Sequence, residues 1–143
     1  MNLGKHIIVD MFDIDIEKMK NINATEEKRE FWEIFIKDCF NEGNITLLAQ
    51  SWKDFDKEGA FTALYLLAES HLSIHTWPEH KYIALDVFTC GDADTQLIVD
   101  KIIEYFEPRN KKIITLDRGN LSHQNKREVL SKTNLDSSLY YLY

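Results

Sequence analysis

The chain has 143 residues, a length typical of one domain, and we expect a single domain over residues 1–143. Apolar residues make up 44% and charged residues 29%, which allows a real core and excludes a fibrous, collagen-like or disordered chain. The net charge of −7, without a basic patch, argues against a nucleic-acid binder.

The sequence also indicates the cellular compartment in which the protein is expected. The N-terminus has no long apolar stretch of the secretory kind, and no apolar run approaches the length needed to cross a bilayer. Two cysteines, Cys39 and Cys90, give no disulfide framework. We therefore expect a cytoplasmic protein in a reducing compartment, with no membrane partner.

The first half of the chain predicts a strand, a helix and a second strand. The helix, over 24–41, has Asn23 as a plausible N-cap, Glu26 as its capping-box partner and Gly43 just beyond its end. Its buried face is predicted to contain four residues at helical spacing: Phe31, Ile34, Phe35 and Cys39. The two strands are predicted at 5–12 and 45–50.

The second half predicts three strands and a helix. The helix, over 94–107, is closed by Pro108 and places Ile98, Ile102 and Tyr105 on one face. The strands are predicted at 61–68, a continuous apolar run suited to burial, and at 82–89 and 112–117. The order β-α-β-β-β-α-β predicts an α+β fold, a two-layer α/β sandwich whose mostly antiparallel sheet carries two main helices on one face. The polar segment 120–143 is expected to be peripheral.

The densest cluster of reactive side chains follows the most apolar predicted strand. It is the segment 69–79, which reads ESHLSIHTWPE and contains two Ser, two His and two Glu residues. A second polar feature, Thr89-Cys90-Gly91-Asp92, follows the next predicted strand. We read 69–79 as a turn between strands and as the candidate site.

From the residues alone, three interpretations of this turn compete. The first is nucleophilic chemistry, with Ser70 or Ser73 activated by His71 or His75. The second is a metal site, with Cys90 joining the two histidines. A spacing of four places two histidines on one face of a helix, but we expect a turn or strand running into proline to place them on different sides. The third is an ordinary polar turn, the commonest of the three for such a segment.

A family resemblance favours the first interpretation. The string 69–79, followed by DVFTCG at 86–91, resembles the processing and active-site core of prokaryotic S-adenosylmethionine decarboxylase proenzymes. The opening GKHIIVD at 4–10 resembles the first strand of that family. The resemblance covers the chain from about residue 4 to residue 91.

The resemblance implies that the chain cleaves itself between Glu69 and Ser70. Ser70 Oγ attacks the carbonyl carbon of Glu69, and elimination from the resulting ester leaves a covalent pyruvoyl cofactor at residue 70. The products are a β chain, 1–69, and an α chain, 70–143. His75 matches the family's processing histidine. Thr62 matches a hydroxyl that helps hold the cleavage intermediate.

The resemblance also implies roles in turnover. The pyruvoyl ketone forms a Schiff base with the amino group of S-adenosylmethionine and accepts electrons as CO₂ leaves, in the service of spermidine biosynthesis. Cys90 matches the family's proton donor. Trp77 and Glu79 match substrate-binding positions, suited to the sulfonium or adenine and to the ribose hydroxyls. Lys5 and His6 can line the site or lie at a solvated strand end.

The implied assembly is a homodimer of processed protomers, because the family builds its sites near a subunit interface. No metal is expected. Several positions depart from the family pattern, and these make the substrate a weaker inference than cleavage: Asp13-Ile14, the segment 51–59, Ala63 and Asp94-Thr95. A pyruvoyl-dependent decarboxylase of ornithine or arginine, and a non-catalytic regulatory paralogue, are the alternatives.

Overall fold

A computed structural model describes residues 2–120 and the backbone of two further short strands. The predicted peripheral segment 120–143 falls almost wholly outside the described residues. Along the chain the elements are β1 (Gly4–Phe12), α1 (Ile16–Asn23), α2 (Glu26–Glu42), β2 (Leu47–Asp54), β3 (Phe61–Leu67), β4 (Ser70–Trp77), β5 (Tyr82–Cys90), α3 (Thr95–Phe106), β6 (Asn110–Arg118), β7 (Glu128–Val129) and β8 (Tyr141–Leu142).

Six of the strands form one antiparallel sheet in the order β2-β3-β4-β5-β1-β6. Side chains from one face of this sheet and from the three helices form a single hydrophobic core. The predicted α+β sandwich with a mostly antiparallel sheet is therefore confirmed. In the described part of the chain no helix is long and apolar enough to cross a membrane.

Within residues 2–120 all three helices pack on the core face of the sheet, and we call the opposite face the open face. Burial alternates residue by residue along β3, β4 and β5, as expected for a sheet covered on one side. The prediction that 61–68 is buried throughout was wrong for this reason. Leu64 and Leu66 lie on the open face and are 49% and 55% exposed.

The predicted turn at 69–79 is mostly a strand. Only Ala68 and Glu69 separate β3 from β4, which begins at Ser70. Leu72 and Ile74 are buried in the core, while His71, Ser73 and His75 occupy the alternate positions on the open face. The alternation of apolar and polar residues is the period of two of a half-covered strand.

The start of α2 also differs from the prediction. Thr25, and not Asn23, is the N-cap, since its hydroxyl accepts a hydrogen bond from the amide of Lys28 at 3.1 Å. Asn23 ends α1, a helix that the sequence analysis missed, and its buried amide bonds to Asp54 and to the amide of Gly59. The end of α2 at Gly43 agrees with the prediction.

The buried face of α2 is rotated relative to the predicted one. Phe31 and Ile34 are exposed, Phe35 is partly buried, and of the predicted set Cys39 is fully buried. The residues that enter the core are Trp32, Ile36, Cys39 and Phe40. By contrast, the predicted face of α3 is confirmed, with Ile98 and Ile102 buried and Tyr105 packed against the core.

Candidate active site

The peptide bond predicted to be cleaved lies at a tight hairpin turn. Leu67 of β3 pairs with Ser70 of β4, so Ala68 and Glu69 form the whole connection. Glu69 has a φ of 57°, in the left-handed region that costs a residue with a side chain about 1–2 kcal/mol. The bond that follows this residue therefore lies in a conformation held by the surrounding hairpin.

Ser70 starts β4 with its side chain on the core face, where the residue is only 8% exposed. Its Oγ accepts a hydrogen bond from the backbone amide of Cys90 at 3.2 Å. An amide donor stabilises an oxygen that loses its proton, as oxyanion-hole donors do. The structure thus joins the predicted nucleophile to the residue predicted as the proton donor.

Cys90 ends β5, and its half-buried side chain belongs to the open-face positions of that strand. It lines a cleft of about 900 Å³ together with Glu69, Gly91 and Asp92. Lys5 lines the same cleft, as the sequence analysis allowed. One end of the sheet therefore holds the scissile bond, a thiol and space for a small molecule.

Thr62 and His75 form a second cluster. They are direct partners in the pairing of β3 with β4, and Thr62 Oγ1 lies 3.0 Å from His75 Nδ1 in a hydrogen bond. Both side chains are partly buried and belong to the open face. The predicted pair of processing helpers is thus brought together.

The two clusters are separated from each other. His75 follows Ser70 by five residues along one extended strand, a distance of about 17 Å at 3.3 Å per residue. An odd spacing on a strand also places the two side chains on opposite faces. Within one chain, the structure does not bring the predicted base to the predicted nucleophile.

The predicted substrate-binding residues lie beyond His75. Trp77 ends β4, is 39% exposed and stacks on Tyr82 with ring centroids 5.3 Å apart. Its ring centroid is 6.1 Å from that of His75. Glu79 is exposed in the short 3-10 turn Pro78–His80. Trp77 is therefore associated with the Thr62 and His75 cluster and not with Ser70, and Glu79 follows it two residues further along the chain.

A third cluster on the open face was not predicted. The carboxylate of Asp86 accepts hydrogen bonds from His6 Nε2 at 2.6 Å, from His71 Nε2 at 2.7 Å and from the hydroxyl of Ser73. Burial opposes ionisation, but the bonds from Ser73, His71 and His6 outweigh it and hold the pKa of Asp86 below its usual value. The signal available in the sequence was the position of Asp86 four residues before Cys90, hence on the same strand face.

The suggested metal ligands His71, His75 and Cys90 do not converge. His71 and His75 share one face, contrary to the expectation for a strand, but they are about 13 Å apart along β4. Among residues 2–120, the ligand atoms that converge are those of His6, His71 and Asp86, within 4.8 Å of one another. The distances from Asp86 to His6 and to His71, 2.6 and 2.7 Å, are hydrogen-bond distances.

Comparison with known proteins identifies the family. A family model described as S-adenosylmethionine decarboxylase matches residues 5–119. This chain belongs to the S-adenosylmethionine decarboxylase family. The expectation from the sequence is thereby confirmed over nearly all of the described residues.

Individual members of the S-adenosylmethionine decarboxylase family are also similar to this chain over most of its length. The S-adenosylmethionine decarboxylase proenzyme of Hydrogenobaculum sp. is 37% identical over 129 residues, covering 90% of each chain. The proenzyme of Thermodesulfovibrio yellowstonii is 31% identical over 126 residues, covering 87% of each chain. The crystal structure of the adenosylmethionine decarboxylase of Aquifex aeolicus matches with a TM-score of 0.69 and 26% identity, covering 94% of this chain and 98% of that chain.

Proposed function

We propose that this chain is a self-processing decarboxylase of S-adenosylmethionine, a carboxy-lyase whose pyruvoyl group is made from Ser70. The observation that carries the proposal is the hairpin at Glu69, where a left-handed residue precedes a serine whose Oγ is bonded to the amide of Cys90. Membership of the decarboxylase family and the proenzyme names of the relatives support it. The product would serve spermidine biosynthesis.

Processing begins at the hairpin. Ser70 Oγ adds to the carbonyl carbon of Glu69, the carbon–nitrogen bond of the peptide breaks, and an ester forms. A base then removes the Cα proton of residue 70, and the ester bond breaks to release the carboxylate of Glu69. Water replaces the resulting enamine nitrogen, which leaves as ammonia. Ser70 is the first residue of β4 and the preceding residue, Glu69, lines the cleft, which supports this position for the pyruvoyl group.

In turnover, the pyruvoyl group supplies an electron sink for the bond to the departing carboxylate. Cys90 lines the cleft beside Glu69, and its thiol delivers a proton to the substrate Cα after CO₂ has left. The hydrogen bond from the backbone amide of Cys90 to residue 70 does not need the thiol, so a change such as Cys90→Ala leaves its donor in place. The thiol thus serves turnover, while the amide serves processing.

We propose that a second copy of the chain supplies the missing base. Thr62 and His75 lie on the open face, where Leu64, Leu66 and Trp77 present apolar side chains to solvent in the isolated chain. If two chains pack their open faces about a two-fold axis, His75 of each faces the backbone at the Glu69–Ser70 end of the other, where the Cα proton of residue 70 is to be removed, and two equal sites form. Trp77 and Glu79 of the second copy then contact the substrate.

Intact-mass measurement tests the cleavage. The purified chain should give fragments of 69 and 74 residues, and the larger should lack a free amino terminus. Ser70→Ala should abolish both fragments. A wild-type chain that stays uncut after long incubation would refute self-processing and favour the regulatory paralogue.

Product analysis tests the substrate. The segment 51–59, which departs from the family pattern, comprises the end of β2 and most of the loop before β3, and it borders the site, since Lys53 pairs with Thr62. CO₂ release should therefore be measured with S-adenosylmethionine, ornithine and arginine in parallel. Release from S-adenosylmethionine alone is expected, and it should survive treatment with a chelator. Release from only ornithine or arginine would overturn the substrate assignment.

A further inference from the structure

The Asp86 cluster is a group of titratable side chains that the proposed chemistry does not use. Its bonds cross three adjacent strands, from His6 on β1 through Asp86 on β5 to His71 and Ser73 on β4. His6 and His71 also pack their rings edge to face with centroids 5.7 Å apart. The cluster is therefore a hydrogen-bond network centred on the carboxylate of Asp86.

The cluster is attached to the scissile bond through the chain itself. His71 is the residue next to Ser70, and its imidazole is the first side chain after the cleavage point that is bonded to another strand of the open face. After cleavage, residue 70 becomes a chain end with no covalent link to Glu69. The bond from His71 to Asp86 then tethers that new end to β5.

We propose that Asp86 is a positioning residue that acts through His71 to hold the new N-terminus of the processed enzyme in register with Cys90. The inference rests on the proposed function, cleavage before Ser70. Asp86 and Cys90 belong to the same face of β5, four residues apart, so the carboxylate and the thiol share one rigid strand. Anchoring His71 to that strand fixes the reacting end relative to the proton donor.

The geometry favours a carboxylate at this position. Asp86 is only 23% exposed, and its two oxygens accept from three donors at once. Both imidazoles donate to Oδ2, while Ser73 donates to Oδ1. An Asn of the same size offers the imidazoles only one neutral carbonyl oxygen, and hydrogen bonds to a neutral acceptor are weaker than those to a carboxylate. Asp86→Asn should therefore weaken the hold on His71 while preserving the volume of the side chain.

The experiment compares four variants with the wild type: Asp86→Asn, His71→Ala, the double variant and Asp10→Asn. Asp10 is the matched control, since it belongs to the same sheet face and its carboxylate accepts from the hydroxyl of Tyr82. All variants are expected to cleave, as read by intact mass. Misplacement of the reacting end should lower kcat on the order of 10- to 100-fold in Asp86→Asn and in His71→Ala, with a smaller change in KM.

Two further readouts separate positioning from simple loss of structure. In the double variant, kcat should fall no further than in the lower single variant, because both changes affect the same bond. Hydrogen exchange at the amides of 71–73 in the processed protein should be faster in Asp86→Asn and unchanged in Asp10→Asn. These amide measurements do not depend on turnover.

Several outcomes would overturn the proposal. Wild-type kcat in His71→Ala would do so even if Asp86→Asn failed to fold, because this half-exposed side chain can be truncated without disturbing the core. Additive losses in the double variant, an equal loss in Asp10→Asn, or failure of either single variant to cleave would also refute it. Failure of the proposed function has a different signature, since the wild-type chain would then stay uncut or release no CO₂.

Discussion

Supply of the processing base by a second chain can be tested by mixing two inactive variants. Ser70→Ala lacks the nucleophile and His75→Ala lacks the base, so neither should yield a pyruvoyl-blocked fragment alone. In a mixed dimer, one site combines Ser70 of the His75→Ala chain with His75 of the other chain. The His75→Ala chain should then be cleaved.

The structure sets the magnitude of this effect. About 17 Å of extended strand and opposite sheet faces separate residues 70 and 75 within one chain, whereas a general base acts at about 2.6–3.2 Å. A change of rotamer cannot close that gap. With random pairing of equal amounts, about half of the His75→Ala chains lie in mixed dimers with one intact site each, so about half should be cleaved.

The assay is co-expression followed by intact mass of both chains, which differ in mass. The control replaces the Ser70→Ala chain with a Ser70→Ala, His75→Ala double variant. That mixture contains no His75 and should give no blocked fragment. Cleavage no greater in the test mixture than in the control would refute the argument and require His75 to reach Ser70 within its own chain.

Three further predictions follow from individual contacts. Cys90→Ala should cleave normally, because the bond to Ser70 comes from the backbone amide, but CO₂ release should fall about 10²–10⁴-fold in a turnover assay. Tyr65→Phe leaves the buried indole N–H of Trp32 without its 3.0 Å partner, and urea titration should show a loss of about 1–3 kcal/mol in the free energy of unfolding. The pKa of Asp54 is about 2, since bonds from Lys57, Trp52 and Asn23 outweigh the effect of burial, which alone would raise it. Because its pKa is lower in the folded than in the unfolded protein, ionised Asp54 stabilises the fold at pH values above the unfolded pKa, and this stabilisation is lost as the pH falls from about 4 to about 2. Asp54→Asn should therefore lower the free energy of unfolding by about 1 kcal/mol at pH 7 and by little at pH 2.

Elements with a pronounced pattern were predicted well. The strand that became β1 and the helix that became α3 agree within two residues at each end, because Ile and Val runs and a 3.6-residue stripe are strong local signals. The stripe of α2 was misassigned, since Phe31 and Ile34 have the right spacing but face solvent. Which of two apolar stripes is buried depends on where the sheet lies, and this information is not local.

The Asp86 cluster also depends on contacts between distant parts of the chain, which a local sequence pattern does not predict. His6 and Asp86 are 80 residues apart in the chain and 2.6 Å apart in space. Their contact depends on the insertion of β5 between β4 and β1 in the sheet, an order that differs from the order along the chain. The sequence pattern shows a histidine and an aspartate on two predicted strands, but it does not show that their side chains meet.

The sequence by itself determined the chemical groups of this protein: a serine after Glu69, a thiol at residue 90, a histidine at residue 75 and the bond expected to break. Only the tertiary structure decided which of these groups meet. Since 69–79 is a strand and not a turn, its side chains alternate between faces, and Ser70 and His75 are parted by an odd spacing. Pairing with β5 then placed Cys90 beside Ser70, and pairing with β3 placed Thr62 beside His75.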